Sequence, residues 1–344
     1  MRGKHAISSW IVLLVALHVI VILAGFFAPY DPAAQDRRNP YLPPMRIHCV
    51  DAQGHFHARL FAYALRLREG TFGQYEENTA RRLPLRFFVQ GARYRLLGFV
   101  PMRLHLFAAE SESVYLLGSD SYGRDQLSRF LYGGQISLFA GLLGAGITLI
   151  LGLCVGAMAG YFGGWRDDLL MRLAELFLAL PWLYLLFALR AFLPLAVSPL
   201  QAFFLIIAVL GGVGWARPAR LVRGVVLSAK ERDFVRAARG FGATGGYLLR
   251  RHILPEASSV LLTQVVILVP QFVLAEMTLS FLGLGVPEPV PSWGNLLSSL
   301  QQYSVLVSYW WMYLPALIMV PFFLGYLGLG SRLQQFGEPY KIGK

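Results

Sequence analysis

Charge is scarce in this chain. Only 15% of its 344 residues are Asp, Glu, Lys or Arg, against 56% that are hydrophobic, where soluble domains carry roughly 25% charged residues. Several apolar windows exceed the ~18 residues that mark a bilayer-crossing helix, so the chain reads as an integral membrane protein. Cysteine is scarcer still, with only Cys49 and Cys154. Cys154 falls in an apolar span and Cys49 outside it, which argues against a disulfide. Catalytic signatures are missing too. There is no Walker A phosphate loop, no HExxH, no GxSxG and no pair of intramembrane aspartates. The chain therefore shows no P-loop site for ATP and no seat for catalysis. Acidic residues number 19 against 31 basic ones, a formal charge of +12. Much of that charge flanks apolar spans, where topology and anionic headgroups account for it without a nucleic-acid partner.

What is present is a polar, arginine-rich island, Ser228–Pro255, between long apolar runs. It reads as two short helices joined at a glycine. Ser228 with Glu231 three residues on has the form of a capping box. Phe234, Ala237, Ala238 and Phe241 recur at i, i+3, i+4 and i+7, one apolar stripe, with Lys230, Asp233 and Arg236 off it. Gly242 is expected to end the first helix, Thr244 to cap the second, and that second helix to run to His252 and stop before Pro255. A basic loop that only sets topology would need none of these devices.

FVRAARGFGATGGYLLRRHILP resembles the cytoplasmic "EAA" loop of ATP-binding-cassette importer permeases of the dipeptide/oligopeptide/nickel type. Ala237, Ala238, Gly242, Leu254 and Pro255 hold the motif's places, and Arg236 stands where the motif has Glu. Three further stretches match: LGSDSYGRDQLSR (Leu117–Arg129), GYFGGWRDDLLMR (Gly160–Arg172) and LAEMTLSFLGLGVPEPVPSWGNLL (Leu274–Leu297). The resemblance covers roughly residues 115–335; residues 32–114 have no counterpart in the family's common core. It implies a permease subunit with no cofactor of its own, not an enzyme. Its partners would be two cytoplasmic ATPases that bind ATP and Mg, a second homologous permease and an extracytoplasmic solute-binding protein. The cargo would be peptides or similar small solutes, and the place the bacterial inner membrane. The coupling contact would fall to Phe234, Arg236, Ala237, Ala238, Phe241, Gly242, His252, Leu254 and Pro255. Arg236 is expected to retune that contact, with Asp233 at i−3 within reach to pair with it. A second departure, Gly134-Gln135 for the usual Ala-Arg, is expected to act only locally. The rival from another class is an ATP-independent secondary transporter or channel, which would call for an inverted repeat that is not visible.

In chain order, residues 1–30 read as an uncleaved anchor helix, since the apolar run Ala6–Pro29 outlasts the ~7–15 residues of a signal-peptide core. Residues 31–115 form an outer insert with two candidate β-hairpins, Arg46–Val50 against His55–Arg59 and Arg86–Val89 against Ala92–Leu96. The first would oppose His48 to His57 with His55 on the same face. A metal-type permease is the weaker alternative this raises, and a separate binding protein would ordinarily carry that specificity. The core, 116–335, opens with an outer interfacial helix over Asp120–Gly133, containing Asp120, Gly123, Arg124 and Asp125. Spans follow at Ile136–Tyr161, Leu169–Leu195, Leu200–Ala216, Ala257–Gly283 and Tyr309–Gly330, with the coupling loop at 219–255 and a tail at 336–344. The fold class is thus an all-α, six-helix polytopic membrane protein with a small β-rich insert. Within the spans, Glu276 either lines a pathway or bonds a neighbouring helix. Ser280 and Trp293 belong to the same pathway or gating reading, and Arg190 is expected to snorkel to the outer surface.

The stretch between the fourth and fifth spans, which includes the island, carries nine Arg or Lys residues between 217 and 251, whereas 285–308 carries none. The positive-inside rule puts the island and both termini in the cytoplasm. A topology reporter fused after Gln301 should read outside and one after Arg239 inside; the opposite pair of signals would overturn this orientation.

Overall fold

A computed structural model describes residues 2–68, 74–96, 98–109, 112–192, 194 and 197–337. The chain divides into two units. One is Leu138–Leu279 with the residues before Leu13 and after Phe322; the other is Leu13–Ser137 with Ser280–Phe322.

The second unit begins in the apolar helix α1 (Arg2–Ile22) and the short α2 (Ala24–Phe27), then forms a four-stranded antiparallel sheet. The strands are β1 (Ile47–Val50), β2 (Phe56–Leu67), β3 (Tyr75–Leu96) and β4 (Val100–Ala109), hydrogen-bonded in that order. Leu42, Met45, Ala62, Leu83, Leu85, Val114 and Tyr115 fill its core. A β-rich insert is what the sequence implied, yet both hairpins need correction. The first turns at Asp51, whose carboxylate accepts from the backbone N–H of Gln53 and His55. A bulge between His48 and Val50 then moves His48 opposite Phe61 rather than His57. His48 pairs with Glu77 at 3.1 Å and His57 with Asp51 at 2.8 Å, so no three-imidazole face forms. The second expected turn, Gln90-Gly91, is not a turn: β3 runs through it and the chain reverses near Gly98, at φ +84°. Gly91 serves close approach instead, since a Cβ there would lie 2.7 Å from the His105 ring.

Continuing in the chain, α3 (Gln126–Phe162) is one 37-residue helix. The separate interfacial helix expected over Asp120–Gly133 does not exist. Residues 120–125 are a tight loop, and Asp125 accepts from the Ser128 N–H at the start of α3. The expected span Leu169–Leu195 breaks into α4 (Gly164–Ala179) and α5 (Trp182–Ala191), bent by 91°; position 195 lies outside the described residues. The break follows from Pro181, which holds Leu180 extended at ψ 136°. Arg190 is buried rather than snorkelled, with Nη1 donating to the Pro194 carbonyl at 3.1 Å. Helices α6 (Pro199–Gly214) and α7 (Ala216–Lys230) meet at a 44° bend. Pro218 in the first turn of α7 cannot donate to the Gly214 carbonyl, which favours the bend. After the island come α10 (Ser258–Phe281), α11 (Trp293–Ser298), α12 (Tyr303–Ser308) and α13 (Leu314–Gly337). Among the described residues, three helices are long and apolar enough to cross a membrane, or up to five if each bent pair is one span.

In the first unit α7 lies directly on α3. Gly152, Gly156 and Gly160 recur at every fourth residue of α3 and face Pro218, Ala219, Val222 and Val226 of α7. At Gly156 a Cβ would overlap the Ala219 carbonyl oxygen, whereas at Gly146, on the same helix, it would meet nothing within 4 Å. Gly156→Leu should therefore lower the unfolding temperature of the detergent-solubilised protein through ~1–3 kcal/mol of overpacking. Gly146→Ala should leave it unchanged or slightly higher. Equal behaviour of the two would remove the close α3–α7 contact.

Candidate coupling surface and the arginine–carboxylate knot

The island contains α8 (Asp233–Gly240) and α9 (Gly245–Leu248). The capping box expected at its start is absent: Ser228 lies in the last turn of α7, and Glu231 is that helix's C-cap. The helix of the apolar stripe begins two residues later, after Arg232 turns extended. The inward face of α8 is Val235, fully buried, with Ala238 partly buried beside it. They pack against Val222, Val226, Ala229, Leu248, Ile253 and Ala257. Phe234 and Ala237 are left exposed, and Phe241 is 92% exposed. Most of the stripe thus points away from its own chain, among the exposed Arg232, Arg236 and Arg239. His252 sits between two rings, 5.9 Å from Phe234 and 5.5 Å from Tyr247, which joins α8 to the segment after it.

The turn after α8 is set by Gly242. Its φ is +85°; its N–H donates to the Arg239 carbonyl at 3.0 Å and the Ala243 N–H to that of Ala238 at 3.1 Å. This is the Schellman pattern, and it satisfies carbonyls that the helix end leaves open. A Cβ on Gly242 would meet nothing within 4 Å, so the demand for glycine is conformational rather than steric. Thr244 accepts from the Tyr247 N–H and caps α9, as the sequence implied. The stop before Pro255 does not occur. A π turn, Leu249–Ile253, and a 3-10 turn, Leu254–Ala257, reroute the hydrogen bonds around the proline, and a continuous helical run extends from Gly245 to Phe281. Glu276 and Ser280 are buried along that run.

Two basic residues hold the island's base. Lys230 donates from Nζ to the carbonyls of Gly160 (3.2 Å) and Tyr161 (2.9 Å), a cation on the carbonyl end of α3. Arg223 makes a two-pronged bond to Asp167, at 2.5 and 2.6 Å. Arg236 has no ion-pair partner among the described residues, so the pairing with Asp233 does not form.

The second unit contains a knot of charge that sequence reasoning only half found. Asp120, Arg124 and Asp125 belong to the outer motif that the sequence points to; the role of Glu288 is not legible there. Arg124 donates to Asp120 at 2.6 Å and to Glu288 at 2.6 Å, and Arg129 to Glu288 at 2.8 Å. Two guanidiniums and two carboxylates balance in a cavity of about 250 Å³ that Gln126, Asn295 and Gln302 also line. The opposite signs and the spacing to 288 are readable in the sequence; their convergence is not. Gly123, at φ +70°, lets the loop lie against residue 36, because a Cβ there would overlap the Asp36 carbonyl. Burial pushes the Glu288 carboxyl up, but Arg129 and Arg124 outweigh it and hold it below its ordinary value. Trp293 lies nearby, its indole N–H donating to the Phe130 carbonyl at 3.0 Å and its ring stacked on Phe130. Gly133 and Gly134 leave room for Ser292 and Trp293. Gln135 donates to the carbonyls of Val21 (3.0 Å) and Ile22 (3.1 Å), so the Gly134-Gln135 departure closes the end of α1.

Asp125 is fully buried with Oδ1 unpartnered, and burial pushes its carboxyl up to about 6 even though Ser128 donates to Oδ2. A folded value above the ordinary 3.8 lends stability that is complete below 3.8 and lost as pH rises through about 6. Asp125→Asn keeps the cap but not the titration. It should flatten the fall in thermal stability between 3.8 and about 6 on the pH scale; an unchanged slope there would show that Asp125 is not its source.

A family model described as "Binding-protein-dependent transport system inner membrane component" matches residues 152–335. The oligopeptide transport system permease protein OppC of Haemophilus influenzae is 37% identical over 227 residues, 65% of this chain and 71% of that protein. The dipeptide transport system permease protein DppC of Bacillus subtilis is 34% identical over 223 residues, 64% of this chain and 68% of that protein. Among solved structures, a chain of the inward-facing MetNI methionine ABC transporter is similar at 18% identity and a TM-score of 0.44, over 61% of this chain and 96% of that one. With the family model spanning more than half of the sequence, the chain belongs to the inner-membrane components of binding-protein-dependent transport systems.

Proposed function

We propose that this chain is the permease subunit of an ATP-driven, binding-protein-dependent importer whose cargo is peptides or similar small solutes. The observation that carries the reading is the outward stripe of α8. Phe234, Ala237 and Phe241 are apolar, exposed and ringed by arginine, the form a helix takes when it fills a groove on another protein. That partner is a cytoplasmic ATPase pair holding ATP and Mg. A second homologous permease completes the pathway, and a solute-binding protein delivers cargo from outside. Six spans with both termini in the cytoplasm suit the arginine distribution. The names of the oligopeptide and dipeptide relatives support the cargo class. Coupling needs a stiff connection, and the helical run from Gly245 to Phe281 supplies one: motion imposed on α8 and α9 passes through the π turn into α10, which buries Glu276.

The test separates aim from insertion. Gly242 holds a left-handed backbone that charges L-residues about 1–2 kcal/mol and β-branched ones more, with Asn the best tolerated. Gly242→Asn should retain ATPase co-purification and uptake, Gly242→Ala reduce both, and Gly242→Val abolish both while membrane insertion stays intact. Arg236→Glu should be tolerated. Wild-type uptake by Gly242→Val, or uptake into vesicles with no ATPase present, would favour the ATP-independent transporter instead.

A further inference from the structure

The β3–β4 hairpin does more than complete the sheet. Between Arg86 and Ala92 it borders the same cavity as Pro29, Tyr30, Asp31 and Ala34. Two residues past Ala92, the Tyr94 ring lies where a Cβ on Gly25 would collide with it, and Tyr94 shares a cavity with Tyr30, Asp31, Pro32 and Tyr132, the last in the second turn of α3. Tyr94 therefore lies beside the segment that follows the apolar helix α1 and beside the start of the apolar helix α3. The hairpin continues past Tyr94 for several more residues, about 7–15 Å at ~3.3 Å per residue. His105 anchors it, bridging the carbonyls of Ala28 (2.6 Å) and Ala92 (2.9 Å), and the Tyr94 hydroxyl donates to the Leu104 carbonyl at 2.7 Å.

The tip is apolar where a water-facing turn would be polar. Phe99 is 72% exposed and Val100 is exposed beside it. Behind the tip stand Arg93, Arg95 and Arg103, all exposed and without ion-pair partners among the described residues. An aromatic residue ahead of a collar of arginines matches the order of a membrane interface, with acyl chains deeper and phosphates shallower. Guanidinium forks suit phosphate oxygens. We propose that this hairpin is a membrane-dipping finger. Phe99 and Val100 enter the lipid interface, and Arg93, Arg95 and Arg103 take the headgroup phosphates of anionic phospholipid. The inference goes beyond the transport reading and shares with it only the reading of α1 as a membrane helix.

The test uses the full chain in nanodiscs, with Cys49 and Cys154 replaced by serine. An environment-sensitive fluorophore is placed at Phe99→Cys and, as control, at the exposed Thr79→Cys earlier on β3. In phosphatidylglycerol discs the label at 99 should be quenched by brominated lipid and shielded from iodide, and the label at 79 the reverse. Phosphatidylcholine discs, or the combined Arg93→Gln, Arg95→Gln, Arg103→Gln variant, should reduce lipid quenching at 99 several-fold. Iodide quenching at 99 equal to that at 79 overturns the finger. Equal lipid quenching in both lipids overturns the anionic-headgroup assignment. Protection at 99 that appears only on adding a solute-binding protein assigns the tip to a protein partner and likewise overturns it. None of these readouts needs ATPase or uptake, so a failure here is distinct from a failure of the transport reading.

Discussion

The closeness of α7 to α3 governs the arginine-rich side of the molecule. Gly152, Gly156 and Gly160 strip one face of α3 to backbone, so Pro218, Ala219, Val222 and Val226 pack onto it without side chains between. In an apolar environment there is no hydrophobic gain in bringing two apolar helices together, and close van der Waals contact supplies the attraction. Lys230 then fastens the end of α7 to the carbonyl end of α3, and Arg223 fastens α7 to Asp167 of α4. With α7 placed this firmly, the first residues of α8 emerge at a defined point.

From that point two backbone devices aim the surface. Arg232 turns extended to release α8, and Gly242 ends it in a left-handed turn. Val235 and Ala238 spend the inward face on the chain's own core, which leaves Phe234, Ala237 and Phe241 outward. A different stopping geometry would rotate the segment after α8 relative to His252, whose ring lies between Phe234 and Tyr247. The π and 3-10 turns around Pro255 keep the path to α10 helical, so Tyr247 and His252, which pack beside α8, share one continuous run with the buried Glu276.

The other unit solves a different problem, holding charge where little water is present. Arg124 and Arg129 are almost wholly buried and would be costly alone; Asp120 and Glu288 neutralise them with short bonds. Asp125 remains the one carboxyl of that loop held up by burial, with an oxygen that finds no donor. Both arginines close on Glu288, so the loop before α3 and the loop after α10 are held as one piece.

Much of this was determined by local chemistry and was legible in the residues. The Gly242 turn and the Thr244 cap each depend on a few neighbouring residues, and both form as the sequence implies. What failed was whatever depends on residues far apart. Ser228 and Glu231 have the letters of a capping box, but α7, held against α3, carries its helix through Ser228 and ends at Glu231. Gln90-Gly91 has the letters of a hairpin turn, but β3 pairs onward with β4, and the glycine is there to admit His105. Pro255 should end a helix, yet rerouted hydrogen bonds carry the chain past it. Glu288 lies about 160 positions from Arg124 and Arg129 in the chain, and only tertiary packing brings it within bonding distance of them. Turn and cap geometry is a property of four or five residues. Register, helix continuation and the pairing of buried charge are decided by what lies opposite, which no local pattern records.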